Sequence, residues 1–272
     1  MTRIGKLFEN LKRDGRKGLI AYLTAGDPSP ERTPELVEAL VRGGADLVEL
    51  GVPFSDPIAD GPVIQRAGER ALKAGTTLHK VLEIAREIRR RSEVPLLLFT
   101  YLNPVVRYGL DRLAKDAAEC GIDGCLLTDA SVEEAHEYVS AMHKHGLDTV
   151  FLAAPTSTVR RMKLVAKYST GFVYLVSRTG VTGEQASLSA AVAPLVRAMR
   201  AVTDLPLAVG FGISRPEHVA ALATQVDAVV VGSALVRLIE KSVIEQHLES
   251  PNLAQELEAF VRQLKGGFGA HA

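Results

Sequence analysis

Residues 206–236 read PLAVGFGISRPEHVAALATQVDAVVVGSALV. The apolar runs at 206–210 and 227–231 are rich in aliphatic and β-branched residues, as buried parallel strands are. Each is followed at once by glycine. Gly210-Phe211-Gly212-Ile213-Ser214 leads to a helix expected near Pro216, and Gly232-Ser233 opens a helix directly. A strand, a glycine turn and a helix, repeated, is the unit of an α/β fold with parallel strands.

The same unit recurs toward the N-terminus. Apolar runs at 18–24, 46–51, 94–100, 124–128, 148–153 and 171–176 complete a set of eight expected strands. Amphipathic helices lie between them. In 30–44, Leu36, Val37, Leu40 and Val41 share a face; in 78–91, Leu78, Val81, Leu82, Ala85 and Ile88 do. A last stripe, Leu253, Leu257, Phe260, Val261 and Leu264, should stop at Gly266 and Gly267. No composition break or Pro/Gly/Ser-rich linker divides the chain. The expectation is an α/β fold, one closed (β/α)8 TIM barrel. It takes residues 1–272 as a single domain with extra N-terminal and C-terminal helices. An open doubly wound sheet is the structural competitor.

Composition excludes several function classes. Lys+Arg and Asp+Glu both number 32, so no excess of positive charge points to nucleic acid or an anionic membrane. Arg89, Arg90 and Arg91 read as a solvated helix end that complements the helix dipole. Cys120, at a helix end, and Cys125, in the next strand, have no CxxC partner, so neither a metal site nor a disulfide framework is expected. The first residues, MTRIGKLFENLKRDGRKG, hold no apolar run of signal-peptide type, and no stretch of about 18 apolar residues exists. A cytoplasmic location is expected.

In such barrels the active site lies at the C-terminal ends of the strands. Three successive glycine loops follow the last strands: Ser177-Arg178-Thr179-Gly180-Val181-Thr182-Gly183, then Gly210–Ser214, then Gly232-Ser233. Glycines let backbone N–H groups approach an anion, and a helix N-terminus adds unpaired donors. Taken singly, Gly210 and Gly212 fit a tight turn, and Gly232-Ser233 fits a helix cap. Taken together they predict a phosphate site.

At the other side of the mouth stands LVELGVPFSDPIADGP, residues 47–62. Glu49 lies inside an apolar strand near its end. It points into the barrel mouth or pairs with a buried Arg or hydroxyl. At the rim of an apolar pocket its pKa would rise, as a general acid/base near neutral pH requires. Pro53–Pro62, with three prolines and two aspartates, reads as an ordered loop over the mouth. Asp56 and Asp60 fit turn or helix caps equally well.

GVPFSDPIADGP followed by VIQRAGERAL resembles the signature of the tryptophan synthase alpha subunit family. AYLTAGDP, YLNP, YLVSRTGVTG, VGFGIS and VVVGSALV follow that family's order, covering nearly every βα loop from Ile20 to Val236. The resemblance implies retro-aldol cleavage of indole-3-glycerol phosphate to indole and glyceraldehyde 3-phosphate. Glu49 would be the proton shuttle. Asp60 would hold the indole N–H and stabilise the developing positive charge, with Tyr174 near the glycerol chain. Gly183, Gly212, Gly232 and Ser233 would hold the phosphate, with Phe211 nearby. Thr182 would contact the aspartate region on closure. Tyr22, Phe99 and Leu126 would line the indole pocket, although Tyr22 and Phe99 also fit a plain core role.

No metal and no organic cofactor is implied, and no Lys stands where a Schiff-base aldolase would need one. The resemblance also implies a beta-subunit partner carrying pyridoxal phosphate, in an α2β2 complex. Pro53, Asp56 and Asn103 would lie on contact loops. Ser131 departs from the pattern, standing where the family often has Pro, which should raise the loop's entropy. Three other readings share parts of this pattern: a stand-alone lyase releasing free indole, a non-catalytic activator barrel, and another phosphate-binding barrel such as a sugar-phosphate isomerase.

Overall fold

The computed structural model describes residues 1–176, 185–210, 212–246 and 252–269. Its strands are β1 (Gly18–Thr24), β2 (Leu47–Gly51), β3 (Leu96–Thr100), β4 (Gly124–Leu127), β5 (Asp148–Ala153), β6 (Val173–Val176), β7 (Leu207–Gly210) and β8 (Ala228–Val231). They pair in parallel in that order, and β8 closes on β1. This is the (β/α)8 barrel, and the open sheet is excluded. Expected strands began a residue or two early at several places because proline cannot donate to a ladder. Pro95 and Pro206 lend only their carbonyls, to the N–H groups of Val48 and Val173.

The helices begin with α1 (Arg3–Arg13) and α2 (Thr33–Gly43). Then come α3 (Pro62–Lys73), α4 (Leu78–Arg89), α5 (Leu102–Tyr108), α6 (Leu110–Glu119) and α7 (His136–Lys144). The last are α8 (Val159–Tyr168), α9 (Gln185–Arg200), α10 (Pro216–Ala223), α11 (Ser233–Gln246) and α12 (Leu253–Gly266). Their apolar stripes form one continuous core against the outer strand faces. A second core fills the barrel itself, and Ile4, Phe8 and Leu11 of α1 plug its lower end. Only the opposite end is left for a site.

At α12 the glycines act differently from the expectation. The helix runs through Gly266 and passes into a 3-10 turn, Gly267–Gly269. Gly267 has φ −62°, so no left-handed cap ends the helix. A Cβ there would lie 2.4 Å from the Pro216 carbonyl oxygen, so glycine serves close approach to α10.

The lower rim repeats one device around the barrel. The first N–H groups of the odd strands are caught by a side chain just before the following even strand. Asp46 accepts from Leu19 (2.7 Å), Asp123 from Leu96 (2.9 Å), Thr170 from Thr149 (3.1 Å) and Asp227 from Leu207 (2.8 Å). Each aspartate also holds a cation: Lys265, Arg89 and Arg200 respectively. Thr170 instead donates to Asp148.

This corrects the reading of the arginine run. Arg89 is not a solvated helix end. Its guanidinium is largely buried and bonds the carbonyls of Gly121, Ser92 and Val94 as well as Asp123. Arg90 and Arg91 remain at the surface with Glu87. Cys120 and Cys125 are both buried and free.

Breaking a buried pair strands the surviving charge. Asp123→Ala should therefore destabilise the fold by roughly 3–5 kcal/mol, read as a lower urea midpoint at unchanged slope. The folded fraction should keep an unaltered upper mouth.

Candidate active site

Leu47 faces the barrel core, and side chains alternate along a strand. Glu49 therefore points inward, one layer above Leu47, beside Tyr22 on β1 and Leu97 on β3. It is fully buried, and neither carboxylate oxygen has a hydrogen-bond partner among the described residues. The paired, purely structural glutamate is not what the fold contains. Burial alone pushes its pKa up to about 8. An uncompensated charge there is costly, so the neutral acid is the resting form at pH 7.

Asp60 ends the loop that arches from β2 to α3. The N-cap of α3 is Gly61 and Pro62 occupies the first helical turn, so Asp60 is not the cap. The phenol of Tyr101, the residue after β3, lies beside the carboxylate and favours its charged form. Tyr101 in turn accepts from the Ala59 N–H at 3.1 Å and stacks at 5.2 Å on Phe54. Thr128, after β4, donates its hydroxyl to the Thr100 carbonyl at 3.3 Å. Burial raises the Asp60 pKa to about 6, against the opposing effect of Tyr101. Tyr101 and Thr128 escaped the sequence reading, although the first sits in the YLNP block. A tyrosine directly after an apolar strand was the available signal.

A cleft of about 650 Å³ opens at this end of the barrel. Asp60, Ile64, Phe99, Tyr174 and Gly210 line it on one side, and Thr128, Thr156, Ser157 and Arg161 on another. Tyr22 meets Phe99 edge-on at 5.2 Å, and its hydroxyl lies 3.3 Å from that of Thr24. Leu126 is fully buried in the inner core, below the open cleft. Two glycines make room for the tyrosines. A Cβ at Gly51 would sit 2.2 Å from the Tyr22 hydroxyl, and one at Gly210 would sit 2.3 Å from that of Tyr174.

The space that Tyr174 takes therefore already requires glycine at 210, which also lines the cleft. Gly212 does require glycine for its backbone, with φ +54°. Gly232 is different again. Among the described residues, a Cβ there would meet only Tyr22, at an ordinary contact distance of 3.5 Å. Ser233 is the first residue of α11. Thr182, Gly183 and Phe211 lie outside the described residues.

Around the mouth, Asp56 accepts from the Ser55 hydroxyl, and neighbouring Ile58 is exposed. Asn103 is in the first turn of α5 rather than on a loop, and Asp129 accepts the Leu102 N–H there at 2.7 Å. Ser131 has φ −70°, the value a proline would impose, and starts a short 3-10 turn.

From about pH 4.5 to 8 the unfolded chain has released the Glu49 proton while the native chain keeps it. Native stability from this group is complete below that window and is lost as pH rises through it. Glu49→Gln removes the loss. The variant should gain stability over the parent by up to about 1.4 kcal/mol per pH unit across that range. Parallel urea titrations at pH 5 and pH 8 measure it; an identical difference at both would show that Glu49 titrates normally.

Comparison with known proteins agrees with this geometry. A family model described as Tryptophan synthase alpha chain matches residues 8–267. The tryptophan synthase alpha chain of Solibacter usitatus (strain Ellin6076) is 78% identical over 272 residues, all of both chains. That of Geobacter sulfurreducens is 47% identical over 269 residues, 99% of this chain and 100% of the relative. The crystal structure of tryptophan synthase subunit alpha from Legionella pneumophila str. Paris superposes with a TM-score of 0.90 at 40% identity, covering 99% of each chain. A structure of Mycobacterium tuberculosis tryptophan synthase gives 0.88 at 36%, covering 98% of each.

Proposed function

The chain belongs to the tryptophan synthase alpha chain family, and on that premise we propose that its barrel mouth cleaves indole-3-glycerol phosphate with Glu49 and Asp60 as the catalytic pair. The observation that carries this reading is Glu49: a carboxyl group fully buried at the upper end of β2 with no partner for either oxygen.

The reaction is a lyase step, a retro-aldol cleavage. A proton delivered to C3 of the indole ring makes a cationic indolenine, and the side chain becomes a leaving group. A base then takes the proton of the adjacent glycerol hydroxyl as the carbon–carbon bond breaks. The bonding pair returns to the ring, freeing indole, and the hydroxyl carbon becomes the aldehyde of glyceraldehyde 3-phosphate. A group that starts protonated can serve both steps and end protonated again, which is what a pKa of about 8 allows Glu49 to do.

Asp60, with a pKa of about 6, is mostly ionised at pH 7. It accepts the indole N–H and stabilises positive charge that exists only in the transition state. Tyr174, beside Glu49 in the electrostatics of the mouth, packs near the glycerol chain. Gly212, Gly232 and the N-terminus of α11 at Ser233 take the phosphate, with Gly183 and Phe211 assigned by family likeness. The open space beside Gly232 among the described residues supports close approach of a ligand to that backbone. Phe99, Tyr22 and Leu126 bound the indole side, and Thr182 meets Asp60 on closure.

No metal or organic cofactor takes part in these steps. The partner is a beta subunit that carries pyridoxal phosphate and consumes the indole in an α2β2 complex. Exposed Ile58 and Val106, with exposed Asp56 and Asn103, support a contact surface there, although Pro53 itself is buried. Among the described residues no helix is long and apolar enough to cross a membrane. A cytoplasmic location and one domain over residues 1–272 complete the proposal.

Indole release from indole-3-glycerol phosphate tests it, with and without a beta subunit. Glu49→Gln and Asp60→Asn should each lose at least ~10²-fold in kcat. Activity indifferent to the beta subunit would favour a stand-alone lyase, and a fully active Glu49→Gln would remove Glu49 from the mechanism. The pH profile of kcat/KM should be a bell. It falls below about pH 6 as Asp60 gains a proton and above about pH 8 as Glu49 loses one. A flat profile between pH 5 and 9 would contradict the assignment.

A further inference from the structure

The two ends of the proposed site stand on different helices. Asp60 is two residues ahead of α3, and Ser233 opens α11. Behind the mouth these helices are joined by charge. Arg70 of α3 grips Asp27, in the loop after β1, with two bonds of 2.8 Å. Its remaining nitrogen reaches Glu240 of α11 at 3.1 Å. Arg66, one turn earlier on α3, binds both oxygens of Glu240 at 2.5 and 2.9 Å. Asp27 is fully buried and Glu240 is 7% exposed, so solvent screens the inner part of this network weakly. Between the network and the mouth lies a small apolar cluster, Tyr22, Val63, Ala67 and Val236, with Ile64 and Phe99 against it.

We infer that Asp27, Arg66, Arg70 and Glu240 form a positioning clamp that sets the spacing between the Asp60 carboxylate and the phosphate cradle. The inference rests on the functional reading given above. A substrate bound at both ends spans α3 and α11, so the separation of those helices decides whether its ring meets Asp60 and Glu49 in register. A bidentate arginine fork fixes that separation better than apolar contact alone, because its two parallel bonds resist both sliding and rotation. Packing by itself would allow α3 to shift by a fraction of a turn over the small side chain of Ala67. None of the four side chains lines the open cleft. They act through the helices that carry the site.

The test uses Glu240→Gln, which keeps the shape and removes the charge. It also uses Arg66→Gln, whose half-exposed side chain is peripheral to the fold. Both are assayed in complex with a tryptophan synthase beta subunit, beside the parent protein. Glycerol 3-phosphate probes the phosphate end alone and indole probes the ring end alone. Each should bind the variants within about two-fold of the parent, because neither spans the two helices. Turnover of indole-3-glycerol phosphate should fall by about 10- to 100-fold in kcat, as an error of about 1 Å in alignment produces.

Two results overturn the clamp. One is parent-like kcat in folded variants, verified by urea midpoint, which leaves the network a structural tie only. The other is loss of half-probe affinity in parallel with kcat, which means the site has collapsed rather than been respaced. A parent protein without lyase activity overturns the functional reading itself, and the clamp with it.

Discussion

An uncharged carboxyl group surrounded by hydrocarbon is the constraint on which this barrel turns. Neither Glu49 oxygen has a hydrogen-bond partner among the described residues, and its burial costs free energy that the remainder of the fold offsets. The offsetting interactions are gathered at the far end. There, α1 closes the barrel floor with Ile4, Phe8 and Leu11, and the lower-rim side chains cap strand N–H groups while the aspartates among them also hold cations, Arg89 being the largely buried one. The division of labour follows from topology. Parallel strands expose unpaired donors at one end and unpaired carbonyls with loops at the other. A side chain that caps donors belongs below, and a proton-transferring group belongs above.

Much of the architecture was legible because parallel barrel strands are buried on both faces and read as unbroken aliphatic runs. All eight were found within about two residues of their observed bounds. The expected (β/α)8 barrel and family likewise stand. What stayed hidden depends on contacts between units far apart in sequence. Asp123 and Leu96, or Arg89 and Gly121, meet only after two βα units have docked, and no local spacing announces it. The three-arginine run looked uniform, yet its first member is buried and its others are not.

Glycine shows a similar limit. Gly51, Gly210, Gly212, Gly232 and Gly267 look alike in the sequence and answer to different demands. Gly51 and Gly210 yield space to tyrosine hydroxyls, Gly212 adopts a left-handed backbone, and Gly267 lets α12 approach α10. Gly232 meets only an ordinary contact with Tyr22 among the described residues. Glu49 itself was legible because a lone carboxylate in an apolar run is expensive wherever it points. Its inward direction needed no more than the alternation from Leu47. Tyr101 was missed because an aromatic residue at a strand end reads as ordinary core.

The same environment that buries Glu49 also explains why the mouth has two different carboxyl groups rather than two copies of one. Desolvation raises both, but Asp60 has a phenol beside it that favours its charged form and Glu49 has none. A neighbour that favours the charged form lowers a carboxyl pKa, so Tyr101 helps hold the aspartate below neutrality while the glutamate rises above it. Near pH 7 the pair therefore rests as one acid and one anion. Retro-aldol chemistry needs that combination, a proton to give to the ring carbon and a fixed negative charge for the ring nitrogen. Removing the Tyr101 phenol would raise the Asp60 pKa and narrow the difference, which the deeper burial of Glu49 would still maintain. The Phe54 stack and the Ala59 N–H, which hold that phenol in place, thereby link the shape of the Pro53–Pro62 loop to the protonation state of the site.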